Sequence, residues 1–375
     1  MPNVAFQSVF MMFCTEMRDK ITKICQGRVF LQRHKAFLTM KVINRIIGFL
    51  KMWLLPTAMV SGTVLYLMFA NIGALAPFRH SALKLVEALM PVAVFATLFF
   101  TFCKMNVRDM KPRPWHAATL LLQTLLCLGC AFIIIKFMKP YSFPELVAEG
   151  VLACLLSPTA TAAAVVTGKL GGSAASLTTY TLESNLLSAL LVPLICPLIH
   201  PMPGIHVVEA FSVVLLRVSQ LLVLPFVLAQ FVKYVIPPLH RKITSLKNAA
   251  FYTWGITLVM VTGMTMRVVF AHLDRMMLVA GLVIAALAVC VFKFATGKFI
   301  GGFRSREDRI SAGQAFGQKN TTFTIWMALT YLSPISAVAP GSYVIWQNII
   351  NSWQLWRHDK CQNAGAKNEQ AADGK

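Results

Sequence analysis

"SAASLTTYTLESNLL" (residues 173–187) and "SAVAPGSYVIWQNII" (residues 336–350) lie over one another at a constant offset of 163 residues. The Ser-Ala start, the pairs Tyr180/Tyr343 and Asn185/Asn348, and the apolar pair after each asparagine coincide. Carried backwards, the offset sets Thr159 on Thr322 and Thr161 on Thr324. A few identities arise by chance, but these bring the fourth apolar run of the chain onto the ninth and the fifth onto the tenth. A repeat unit of five spans is necessarily inserted upside down in its second copy, which is the inverted-repeat plan of secondary transporters.

Composition agrees with a chain built for lipid. The 375 residues are 57% hydrophobic and 13% charged, with mean hydropathy +0.65, outside the range of soluble domains. A span needs about 20 apolar residues. That ruler gives ten candidates, 49–72, 86–104, 115–137, 146–167, 174–199, 207–235, 248–268, 276–297, 310–331 and 334–356, and so an all-α membrane protein. The net charge of +21 falls in short clusters between apolar runs, not on one basic face, which excludes nucleic acid as the partner. With ten spans, one set of loops holds fourteen Lys and Arg, among them Lys111, Arg113, Lys293 and Lys298, against six on the other. The positive-inside rule then puts both termini in the cytoplasm, with a bacterial inner membrane as the expected location. The cysteines lie mostly within apolar runs without paired spacing and read as small packing residues.

Four parts follow: a basic extension over 1–48, five-span repeats over 49–200 and 206–357, and a polar, disordered cytoplasmic tail over 358–375. The extension is not a well-formed signal peptide, because its basic stretch follows the apolar one.

Unwound backbone at membrane depth is tolerated where it lines an enclosed wet site, and an inverted repeat places such breaks at matching positions. "LLSPTATAAAVVTG" (residues 155–168) has Pro158 inside an apolar run. The proline frees a carbonyl one turn earlier, for which Ser157, Thr159 and Thr161 are the expected partners. "GQAFGQKNTTFTIW" (residues 313–326) has Gly313 and Gly317 beside Gln318, Lys319, Asn320, Thr321 and Thr322. Breaks are expected at both.

These motifs, with "LLLQ" ending at Gln123, the Gly171-Gly172 turn and "APGSYVIWQNIINSW" (residues 339–353), make the chain resemble the bile acid:sodium symporter family over roughly residues 49–357. The resemblance implies broken fourth and ninth helices crossing at the membrane centre, a panel of spans 1, 2, 6 and 7, a core of spans 3–5 and 8–10, and sodium-coupled uptake of organic anions. It carries over Gln123, Thr181 and Gln318 as ion-site positions. Elsewhere the chain departs from the pattern: Ala163 and Ala164 stand where the family has a Ser-Asn pair, Gln314 replaces a glutamate that binds both sodium ions, and Lys319 replaces an asparagine.

Sodium prefers oxygen ligands with some negative charge, and here methyl groups and an amide take their place while an ammonium is added. Two unit charges about 4 Å apart interact by about 4 kcal/mol at an effective dielectric of 20, so a charged Lys319 opposes sodium entry. The expected function is therefore sodium-independent secondary transport of small organic anions, with Lys319 in place of the ion. Ordinary sodium symport, a channel and a receptor are the alternatives. Glu183, in the middle of span 5, is expected either to pair with Lys319, which would allow proton coupling, or to bond only neighbouring Ser and Asn side chains on its own helix. Arg217, inside span 6, is the expected donor to a substrate carboxylate or sulfonate. Trp254, Trp326 and Trp346 read first as packing or interface anchors. The histidines, His116 among them, sit near span ends and read as solvated. No GxSxG, HExxH or pair of intramembrane aspartates is present, so neither an enzyme nor a cofactor or metal centre is expected.

Overall fold

The computed structural model describes residues 54–105, 110–201, 204–246 and 249–373. The basic extension over 1–48 lies outside them. The chain divides into two compact units, Met1–Thr57, of which only 54–57 is described, and Ala58–Lys375. The second unit contains everything that follows.

Fourteen α-helices cover the described residues: α1 Leu54–Asn71, α2 Arg79–Phe102, α3 Pro114–Phe137, α4 Phe143–Leu156, α5 Ala163–Lys169, α6 Ala174–Ile199, α7 Val207–Leu222, α8 Leu224–Val235, α9 Pro237–Ser245, α10 Ala249–Ala271, α11 Met276–Gly302, α12 Arg306–Gly317, α13 Thr321–Tyr331 and α14 Val338–Asp373. Local chemistry sets their ends. Ser142, Ser173 and Ser305 cap α4, α6 and α12 by accepting the N–H of Glu145, Ser176 and Asp308, and α3 starts on Pro114 after Arg113. Gly171, at φ +83°, takes the left-handed conformation in the turn between α5 and α6.

Five helical stretches are long and apolar enough to cross a membrane: Gly73–Phe102, Pro114–Phe137, Ala174–Ile199, Tyr252–Ala271 and Leu273–Gly302. The bent pair α7 and α8 makes a sixth. The protein is an integral membrane protein. Of the remaining expected spans, α1 is shorter, two are interrupted, and the last is the apolar start of α14. Span 6 is bent by 44° at Val223, where Pro225 cannot supply a helical N–H. The expected disordered tail is instead helical through Asp373, because α14 continues past its apolar part.

Packing follows two groupings. α11 lies along α12, α14 and α4, while α3 packs on α4 and α6; α10 and α8 pack on α2. Gly297 lets α11 and α12 touch, since a Cβ there would overlap the carbonyl oxygen of Ala312. The buried core runs through Leu152, Leu156, Leu282, Ala286, Phe323 and Ile325.

Candidate functional site

Two helices are interrupted, and the interruptions meet. α4 stops at Leu156 and α5 resumes at Ala163; α12 stops at Gly317 and α13 resumes at Thr321. Thr159 and Lys319 form an antiparallel bridge. Around it, Ala160 N donates to Gln318 O at 3.0 Å and Asn320 N to Pro158 O at 2.8 Å. The second break is narrower than expected. Gly313 and Gly317 remain helical and serve close packing against Lys298 and Phe294.

Many of the freed backbone groups find partners, as burial in an apolar protein demands. Gln347 grips the Lys319 peptide from both sides, accepting its N–H at 2.8 Å and donating to its carbonyl at 3.4 Å. Ser188 donates to Leu156 O, Ser184 accepts the Thr159 N–H, Thr159 Oγ1 donates to Ala315 O, and Tyr343 donates to Gly317 O. Thr324 donates to Ser157 Oγ at 2.5 Å, and Asn320 Oδ1 accepts the Phe323 N–H to start α13. The carbonyl that Pro158 frees, Cys154 O, is not met by a neighbouring hydroxyl as expected. It receives the amine of Lys293, which also donates to Leu155 O, at 2.9 and 3.2 Å.

Lys293 is the residue that sequence reasoning misplaced. It was assigned to a loop, yet it lies within α11 with no solvent exposure. Its place inside an apolar run was the available signal. Lys319, 1% exposed, donates to Gln123 Oε1 at 3.2 Å. The two amines lie 5.3 and 5.2 Å from the centre of the same Phe316 ring. The last carbonyls of α4 face the Lys293 amine, where a cation is favoured by the helix dipole.

The other expected site residues divide. Gln314 and Gln318 join the site through a ladder in which Gln318 donates to Gln314 at 2.5 Å and Gln314 to Gln354 at 3.0 Å. Thr181 bonds only the Leu177 carbonyl of its own helix and is one step removed, touching the crossing through Ser184. Ala163 is buried at the start of α5 and Ala164 is half-buried beside it.

Three expectations are corrected. Glu183 does not pair with Lys319; its carboxylate meets His116 Nδ1 at 2.9 Å, and His116 Nε2 meets Ser176 Oγ at 2.9 Å. His116, expected to be solvated, is 2% exposed because it fills the joint between α3 and α6. Arg217 lies exposed on α7 beside Tyr331 and lines no part of the crossing cavity.

That cavity, about 230 Å³, lies between the crossing and the helices α2 and α10. Thr161, Gln318, Asn320, Thr321 and Thr322 line it from one side, Thr97, Trp254 and Thr257 from the other. Lys319 is its only charged lining residue among those described, with the amine turned back towards Gln123. A second cavity of about 560 Å³ shares no lining residue with the first. It lies nearer the opposite ends of α2 and α10, lined by Glu87, Arg267, His272 and Trp326.

Two buried carboxylates are held firmly, Asp308 in the first turn of α12 and Glu149 midway along α4. Asp308 accepts from Arg113 and from Trp115 Nε1, and the acid keeps the Arg113 guanidinium above its already high ordinary pKa. Glu149, fully buried, accepts from Ser333 N at 2.9 Å and pairs with His200 Nε2 at 2.8 Å. That hydrogen bond raises the His200 pKa above its ordinary value.

Among the described residues no cluster of His, Cys, Asp or Glu could hold a metal ion. No curated protein matches the chain. One family model does match, a protein of unknown function (DUF1275), over residues 44–191, from before α1 into α6 and less than half of the chain.

Proposed function

We propose that the chain is a secondary transporter of small organic anions, working by alternating access, in which Lys319 and Lys293 occupy the place of coupling cations. The observation that carries this reading is the crossing itself, where two interrupted helices meet end to side around two buried amines. Unwound backbone and buried amines at this depth are costly to build, and a protein that only spans a bilayer has no need of them.

Several features support an inverted five-span repeat behind it. Phe143 and Arg306 begin helices 163 residues apart, each after a serine cap and with an acid in the first turn. Ala174 and Val338 begin the next pair after the breaks at nearly the same spacing. Packing exchanges accordingly: α11 lies on both α12 and α4, and α3 on both α4 and α12. Two separate cavities, one beside the crossing and one nearer the opposite ends of α2 and α10, support access to the core from two directions. On this reading both termini face the cytoplasm of a bacterial cell.

Hydroxyls and amides of Thr97, Thr161, Thr257, Gln318, Asn320 and Thr322 line the cavity beside the crossing, which favours a short hydroxy or keto acid over a steroid. Asn351 Oδ1, buried on its wall without a partner among the described residues, is placed to accept a ligand hydroxyl. Because Glu183 is engaged with His116, no carboxylate among the described residues meets Lys319 to exchange a proton, and uncoupled movement down the substrate gradient is the simpler mechanism.

The test is uptake of labelled lactate, pyruvate, taurine and taurocholate into proteoliposomes, with sodium replaced by choline and with imposed pH gradients. Continued uptake of a short acid without sodium is expected. A strict sodium requirement would overturn the role given to the lysines, and single-channel currents in place of saturable uptake would overturn the carrier.

A further inference from the structure

On the lipid side of α1 a wedge opens between helices. Gly62 of α1 and Gly263 of α10 form its apex: a Cβ at Gly62 would overlap the Val259 carbonyl oxygen, so only glycine allows this approach. From there towards the end of α1 the helices are spread by Leu65, Phe69, Met260 and Met264, with Val86 of α2 behind them. The space is about 450 Å³ and almost entirely apolar. From Gly62 to Ala70 it runs about 12 Å along the helix, enough for much of an acyl chain.

Its lining has two charges, both positive. Arg79 is held at the end of α1, donating Nη2 to Ala70 O at 2.6 Å and Nε to Phe69 O. Arg267 is half-exposed and 3.4 Å from Glu87, whose carboxylate does not line the wedge. An apolar slot ending in two guanidiniums matches one chemistry, a long hydrocarbon chain ending in an anion.

We propose that this wedge binds an acidic glycerophospholipid, one acyl chain lying between α1 and α10 and the anionic headgroup resting on Arg79 and Arg267. A zwitterionic lipid offers the same chain and phosphate but adds an ammonium that the two arginines repel. An arginine near anionic headgroups is worth about fivefold in affinity, so the preference is set by both.

The experiment is native mass spectrometry of the full chain from nanodiscs made of equal parts phosphatidylglycerol and phosphatidylcholine. Wild type is expected to retain phosphatidylglycerol preferentially, Arg267→Gln to lower that preference about fivefold, and Arg267→Lys to keep most of it. Should Arg79→Gln disturb the end of α1, Arg267→Gln decides alone, since its side chain is half in solvent. Equal retention of the two lipids by wild type, an unchanged preference in Arg267→Gln, or retention of added oleate in place of phospholipid would each overturn the proposal. None of these readings depends on transport.

Discussion

At the scale of single residues, the two amines at the crossing are costly as well as central. Lys319 has one amide oxygen and a ring face as partners and a second lysine beside it, a poor solvation shell for a cation. Replacing an ill-paired buried charge by an apolar side chain of similar size is often stabilising by about 1–4 kcal/mol. Lys319→Met is therefore expected to raise the thermal midpoint in detergent while stopping uptake, the trade expected of a group kept for function. A lower midpoint would make Lys319 a structural tie. Lys293→Met differs, because it strips the donor from two carbonyls at the end of α4, at about 1–3 kcal/mol for each left unsatisfied. Its midpoint should fall. Lys319 was legible in the sequence because it stood beside glycines and amides; Lys293 was not, because a lone lysine near the end of an apolar run reads as an interfacial anchor. Which carboxylate meets which base depends on helix rotation, and that left the Glu183–His116 pair out of reach of spacing arguments.

At the scale of elements, the breaks were legible and their partners were not. Pro158 forbids a helical hydrogen bond whatever surrounds it, so the end of α4 followed from one residue. The groups that satisfy the break, Ser184, Ser188 and Gln347, come from helices brought close only by the fold. Gly313 and Gly317 misled for the same reason: a glycine beside polar residues suggests unwinding, whereas here each makes room for a neighbouring side chain. The closest helix contact makes a sharp prediction. Gly297→Ala sets a methyl group against the Ala312 carbonyl oxygen, and because that obstacle is backbone, α11 and α12 must separate. A loss of about 1–3 kcal/mol is expected, read as a lower unfolding midpoint. Gly129→Ala, on α3 with open space around it, should not lower the midpoint and, as a helix-interior glycine, should raise it slightly; it serves as the control.

At the scale of the whole molecule, stability should depend on pH through one face. The pKa of His200 is raised by Glu149, so the folded state binds its proton more tightly than the unfolded chain does. That stability is fully present below the ordinary histidine pKa of about 6.5 and is lost as pH rises through the higher folded value. Glu145, raised by burial, acts in the same direction at lower pH, above its ordinary value. The midpoint of wild type should thus fall as the solution is made more basic from neutral, and His200→Gln should remove that slope. The 163-residue offset behind the proposed repeat was visible because it is a property of sequence alone. The cavities were not, since they depend on how far α2 and α10 stand from the crossing. If both cavities belong to one path, obstructing either must stop the flow. Thr257→Trp places an indole in the cavity beside the crossing, and Ala271→Trp narrows the one on the far side. Both variants should fold, because each side chain enters existing space, and both should lose uptake. Normal uptake by Ala271→Trp in proteoliposomes would remove the second cavity from the path and leave a carrier with a single visible entrance.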